Sequence, residues 1–218
     1  MLVLALDTAT PASTAALIEV TADGLSGVAE SRTVDPRAHG EKLAPEIAAV
    51  LAEAGVRPRD LTAIVAGLGP GPFTGLRVGL ATAASMGQAL GIPTYGVCSL
   101  DALGRAAGPG RVLIATDARR REVYYATYAD GERVSGPDVA KPADVAVNAD
   151  KSAGEGALKY GDVFGLPVEE HLLYPPGAAL VAIAAGRIRA EAPSEILTPL
   201  YLRRPDAVEP AGRKPVLT

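Results

Sequence analysis

Two rhythms of apolar and polar positions run along this chain, and the switches between them mark out its elements. Residues 2–6 (LVLAL) are continuously apolar and end in Asp7-Thr8, the pattern of a strand buried on both faces that delivers a polar group at its C-terminal end. A second strand is predicted at 13–20 (STAALIEV), joined through the turn TATPA, and a third within 26–34. Spacings of three and four then take over. Leu43, Ile47, Val50, Leu51 and Ala54 predict a helix over 40–54, stopped at Gly55 with Pro58 just beyond. Residues 61–67 (LTAIVAG) return to the buried-strand pattern. A second helix is predicted over 74–90, with Thr74 as N-cap and Gly91 as the residue after its end, and 93–98 (PTYGVC) predicts a strand.

The theme then restarts. Residues 111–116 (RVLIAT) run into Asp117, a polar turn follows, and 122–128 (EVYYATY) predict another strand. Strand, aspartate, turn and strand thus occur twice, about 110 residues apart. This pattern predicts an α/β chain made of a duplicated unit, with units over 1–105 and 106–218; two unrelated hairpins are the alternative. Residues 131–156 show no period, 177–191 predict a helix, and PLYLRRPDAVEPAGRKP at the end predicts extended, then frayed, chain.

Apolar residues make up 48% of the 218, but aromatics only 4% with no Trp, so the core must be aliphatic. A net charge of −4 argues against a free-standing nucleic-acid binder. Cys98 is the only cysteine, which leaves no internal disulfide and makes a reducing, cytoplasmic location the expectation. The start lacks the basic region of a signal peptide, and no run approaches the roughly 20 apolar residues of a membrane span, so no membrane association is expected.

The segment GLGPGPFTGLRVG at 67–79 has the look of a phosphate loop. A Walker loop needs GxxxxGK[ST], and no Lys occurs here; the Rossmann GxGxxG fails because Pro72 stands where the third glycine belongs. Pro70 and Pro72 each remove a backbone donor that a phosphate cradle would use. A helix N-terminus with Arg77 nearby remains as a generic anion site. Along the helix, Gly75, Gly79, Ala83 and Gly87 form one stripe almost without side chains. Such a stripe lets two backbones approach closely, either inside this chain or against a partner subunit.

Catalytic groups are scarce. His39 and His171 are the two histidines, and neither HExxH nor GxSxG occurs. Cys98 closes an apolar strand with no acid or base beside it in sequence, as a buried small hydrophobe would. Asp7 and Asp117 stand at strand ends, where α/β folds place ligand groups; with Thr8 they can hold a metal-bound nucleotide, or they can simply cap turns. Arg119-Arg120-Arg121 and Arg203-Arg204 can touch RNA or lie on solvated surface.

Five segments, LALDTAT at 4–10, AHGEKLAPEI at 38–47, GPGPFTGLRVG at 69–79, DARRREVY at 117–124 and PLYLR at 199–203, together resemble the TsaB (YeaZ) family in order and spacing. The resemblance implies an actin/Hsp70/sugar-kinase-like ATPase fold of two duplicated ribonuclease-H-like units. It also implies a role in making threonylcarbamoyladenosine beside the anticodon of tRNAs. There TsaB partners TsaD, which transfers the threonylcarbamoyl group, and TsaE, the accompanying ATPase. TsaD carries metal-binding histidines as HxxxH on its first long helix; here His39 is kept and Leu43 stands at the second place. One imidazole does not hold such a metal, so the resemblance implies no metal, no catalytic residue and no cofactor of this chain's own, with ATP or ADP only in the assembled complex. Pairing is implied through the first two helices, which carry His39, Leu43 and Ile47 and then Gly75, Arg77, Gly79, Ala83 and Gly87. A homodimer by the same surface is implied when the chain is alone, and tRNA is met through the complex. On this expectation, bulky residues at Gly79 and Ala83 abolish pairing and leave the monomer folded. The rival expectation is an actin-like ATPase acting on its own through Asp7, Thr8 and Asp117.

Overall fold

The structure, a computed structural model, describes residues 1–203. The tail expected to fray, including Arg204, lies outside the described residues. Strands β1 (Leu2–Asp7), β2 (Ala12–Val20), β3 (Leu25–Val34), β4 (Ala63–Gly67) and β5 (Thr94–Val97) form one sheet in the order β3-β2-β1-β4-β5. The first three strands are an antiparallel meander, and β4 and β5 run parallel to β1 and to each other.

Both faces of this sheet are covered, which is why β1 and β4 read as unbroken apolar runs. Helices α1 (His39–Glu53) and α2 (Phe73–Leu90) cover one face, packing Leu43, Ile47, Val50, Leu76 and Leu80 on Leu4, Leu6, Leu17 and Ile64. Each such side chain, fully buried, contributes about 1.5–3 kcal/mol. The opposite face is covered by the last helix of the described chain (Gly177–Arg189), through Leu180, Val181 and Ala184 on Val3, Ala5, Val65 and Tyr95. The late part of the chain therefore completes the first sheet as well as the second.

Strands β6 (Arg111–Asp117), β7 (Val123–Ala129), β8 (Glu132–Ala140) and β9 (Lys151–Ala153) form the second sheet, in the order β8-β7-β6-β9. β6, β7 and β8 are again an antiparallel meander with β9 parallel to β6, which repeats the first four strands of the first sheet. The duplication expected from the repeated strand–aspartate–turn pattern is present in the topology. Helix α3 (Ser99–Ala106) follows β5 and packs Leu100 and Leu103 onto Val112, Ile114 and Tyr128 of the second sheet. Short helices α4 (Glu155–Lys159) and α5 (Gly161–Phe164) complete the fold, and the Gly177–Arg189 helix is α6.

One local expectation needed revision, and two elements had gone unread. α2 starts at Phe73 with Pro72 as its N-cap residue, so Thr74 lies in the first turn and makes no capping hydrogen bond. α3 was not foreseen, because eight residues directly after a strand give too short a window for a helical period. β8 lies inside the unpatterned 131–156 stretch; it is an edge strand with mostly exposed residues and carries Gly136-Pro137, so it shows no alternation.

Candidate functional site

The ends of β1 and β6 bring their aspartates to two turns, and the glycine segment closes over the first. Asp7 is 1% exposed. Its Oδ1 accepts the N–H of Ala9 at 3.0 Å and its Oδ2 accepts the hydroxyl of Ser99 at 2.5 Å. Ser99 Oγ accepts the N–H of Gly69 at 3.2 Å. A Cβ at Gly67 would overlap Asp7 Oδ2. Burial pushes the Asp7 carboxyl up to about 6, although the Ser99 and Ala9 bonds, Arg32 and His39 work against it. Asp7 therefore clasps the first turn to the ends of β4 and the start of α3.

Thr8 is spent in the same way. Its hydroxyl donates to the Gly75 carbonyl at 2.8 Å and accepts the Gly79 N–H at 3.0 Å. Gly71 lies so close to the Ala9 backbone that any side chain would overlap it. The glycines at 67, 71, 75 and 79 thus serve the close approach of the first turn to the loop and helix after β4.

The small-residue stripe accordingly faces the chain's own interior. Gly75 approaches the Thr8 carbonyl and the His39 ring, Gly79 abuts Thr8, Ala83 is 0% exposed, and a Cβ at Gly87 would lie 2.5 Å from Thr94 Cγ2. Leu43 and Ile47 belong to the core, and His39 is buried with Nε2 donating to the Thr10 carbonyl at 2.8 Å. Among the eight residues expected at a partner surface, Arg77 alone is exposed. Periodicity showed which residues share a helix face, but not which side that face turns to.

A metal of the HxxxH kind does not fit the residues present. His39 is committed to Thr10, Leu43 is 1% exposed in the core, and among the described residues no group of three His, Cys, Asp or Glu side chains can hold an ion. Cys98 is buried, and burial, reinforced by Asp101, pushes its thiol up to about 11, away from the reactive thiolate.

At the second turn, Asp117 Oδ2 lies 3.2 Å from Lys159 Nζ and Oδ1 accepts the Arg119 N–H at 3.3 Å. The Asp117 N–H donates to Glu155 Oε1 at 3.0 Å. Burial pushes Glu155 up to about 7, with the Asp117 charge adding to it and hydrogen bonds from the Asp117 and Gly156 N–H groups opposing it. Sequence reasoning missed Glu155 and Ser99. The one available signal was Gly154-Glu155-Gly156, where a Cβ at either glycine would strike Ala115 or Thr116 of β6.

Beyond these turns, a cavity of about 690 Å³ opens between the start of α2, the arginine turn and the segment at 201–203; Phe73, Arg77, Arg119, Tyr124 and Tyr201 are among its lining residues.

Two sheets of repeated β-meander-plus-parallel-strand topology, with an aspartate at each first strand's end, define an α/β chain of the actin-like ATPase, ribonuclease-H-like fold. A family profile described as "TsaD: tRNA N6-adenosine threonylcarbamoyltransferase" matches residues 28–176. An uncharacterised protein of Mycobacterium tuberculosis (strain H37Rv) is 50% identical over 205 residues, which cover 94% of this chain and 93% of that protein. The chain covers 56% of a longer Mycobacterium leprae protein at 48% identity, over 94% of its own length. The Escherichia coli tRNA threonylcarbamoyladenosine biosynthesis protein TsaB is 37% identical over 132 residues, 59% of this chain and 55% of that protein. The solved structure of YeaZ from Pseudomonas aeruginosa superposes with a TM-score of 0.75 at 30% identity, covering 92% of this chain and 100% of that one. The chain belongs to the TsaB/YeaZ family.

Proposed function

We propose that this chain takes part in tRNA threonylcarbamoyladenosine biosynthesis, as a non-catalytic subunit that pairs with TsaD and works alongside TsaE. The observation that carries the non-catalytic reading is the clasp around the first turn. Asp7, Thr8 and His39, the groups that the nucleotide and metal readings would need free, are each hydrogen-bonded within the chain. Membership of the family that includes Escherichia coli TsaB supports the pathway.

The pairing surface we propose is the outer side of α1 and α2, in place of the inward stripe. It exposes Ala44, Pro45, Ala48, Ala49 and Ala52 on α1 and Ala81, Ala84, Ser85 and Ala89 on α2. Small apolar side chains on neighbouring helices suit close helix–helix packing, whether against TsaD or a second copy of this chain. Ala48→Arg together with Ala84→Arg is expected to abolish co-elution with TsaD while shifting Tm by no more than a few degrees, because exposed positions tolerate substitution. Undiminished pairing would place the interface elsewhere.

The function itself is tested by a tRNA modification assay with threonylcarbamoyl-AMP, TsaD and TsaE, with and without this chain. Modification is expected to require both this chain and TsaD. Turnover by this chain without TsaD would refute the non-catalytic assignment, and no effect in either mixture would refute the pathway.

A further inference from the structure

The chain is acidic overall, with 25 Asp and Glu against 21 Lys and Arg. Yet four arginines, Arg77, Arg119, Arg120 and Arg203, line the 690 Å³ cavity, and among the described residues no Asp or Glu lines it. Beside them, Phe73 and Tyr201 stack at 5.2 Å between centroids and 25° between planes. These rings are 49% and 41% exposed, unusual for large side chains in a chain so poor in aromatics. Arg77 lies 3.8 Å over the Phe73 ring and its Nε donates to the Tyr201 hydroxyl at 3.0 Å, so the guanidinium covers part of the Phe73 face and leaves the Tyr201 ring as the open side of the pair.

The arginine turn adds a second observation. Arg119, Arg120 and Arg121 have φ of 63°, 53° and 61°, the left-handed region that a side chain disfavours. A turn kept for shape alone would use glycine or asparagine at these places. Two of these three, Arg119 and Arg120, stand on the cavity wall although glycine would suit their backbone better. Arg119 is exposed and also borders a smaller cavity of about 160 Å³ next to Thr10 and the start of α2. Arg203, by contrast, is anchored to the Ala118 carbonyl at 2.9 Å and paired with Glu122, so it shapes the wall.

We propose that this cavity binds a nucleotide, with the base stacked on the Phe73–Tyr201 pair and the phosphate held by Arg77 and Arg119. Aromatic faces accept any base, and a forked guanidinium matches phosphate oxygens. The ligand is a free mononucleotide or one nucleotide of a single-stranded RNA. The site uses none of Asp7, Thr8 and Asp117, and the inference stands on the cavity alone, independent of pairing with TsaD.

The test uses the purified full chain, a short fluorescein-labelled single-stranded oligoadenylate read by polarisation at low salt, and AMP or inorganic phosphate as competitor, with direct AMP binding followed by calorimetry. Arg119→Gly and Tyr201→Leu are each expected to weaken binding about tenfold or more. Arg119→Gly, which suits the left-handed backbone, should leave thermal unfolding unharmed and lower the log–log salt slope on RNA by about 0.7. Arg121→Gly, outside the cavity, should bind like the parent chain. RNA binding that AMP does not displace assigns the site to RNA, and tight AMP binding assigns it to a free nucleotide. Absence of binding to both probes, displacement by phosphate as strong as by AMP, or full binding by Arg119→Gly would overturn the proposal. Because TsaD is not in the mixture, these outcomes do not depend on the modification assay.

Discussion

Gly79→Leu is expected to cost the chain a large share of its folding stability and not merely a partner contact. The first carbon of any side chain at this position overlaps Thr8 Oγ1, which accepts the Gly79 N–H and donates to the Gly75 carbonyl. Thr8 can retreat only by giving up both hydrogen bonds in a fully buried seam. Overpacking of this kind costs about 1–3 kcal/mol, and stranding a buried polar group adds about 1–3 more. A loss of roughly 2–6 kcal/mol is a large share of the roughly 5–15 kcal/mol that typically holds a domain. Urea unfolding followed by circular dichroism should show the midpoint collapsing for Gly79→Leu and holding for the exposed Ala84→Leu. A Gly79→Leu chain that keeps its unfolding midpoint but no longer pairs would restore the stripe to a partner surface.

The second large effect is an inverted pH dependence. The Asp7 carboxyl sits at about 6 in the folded chain, against ~3.9 when unfolded. Between those values the folded state keeps a proton that the unfolded state has lost, so this contribution is full below the unfolded value and fades as pH rises through about 6. Two units correspond to about 3 kcal/mol for Asp7 alone. Glu155, raised to about 7, and Glu46, raised by burial between α1 and β3, act in the same direction. Burial would raise Glu195 too, but the Gly96 N–H and Arg187 outweigh it and hold the group low, so its opposing loss begins only below roughly pH 4.3. Urea stability is therefore expected to be higher near pH 5 than near pH 7.5. Asp7→Asn, which retains an acceptor for the Ala9 N–H, should flatten the curve by the Asp7 share. A rise in stability from acid to neutral pH would show that Asp7 is charged and well solvated in its clasp.

Much of the fold was legible in the chain. β1, β4 and β6 announced themselves because strands covered on both faces must be apolar throughout. α1 and α6 are helices where the three-and-four spacing put them, with ends shifted by one or two residues. The paired aspartates, read from strand–Asp–turn–strand, proved to be equivalent ends of two like sheets. α3 and β8 stayed hidden, one too short for its period and the other too exposed to alternate.

The sequence by itself determined composition-level and periodic properties: an aliphatic core, a strand–aspartate–turn–strand pattern that occurs twice, the absence of a Walker or Rossmann loop, and one histidine where HxxxH needs two. These follow from local chemistry and spacing, which need no knowledge of neighbours. Only the tertiary structure decided what the small residues of α2 touch, because a helix face is defined by period but oriented by packing. It turned Gly75, Gly79, Ala83 and Gly87 onto Thr8, His39 and Thr94 and left the alanines of α1 and α2 outside. It also gathered Phe73, Arg119 and Tyr201, far apart in the chain, around one cavity. That meeting rests on long-range contacts, which no window of residues encodes.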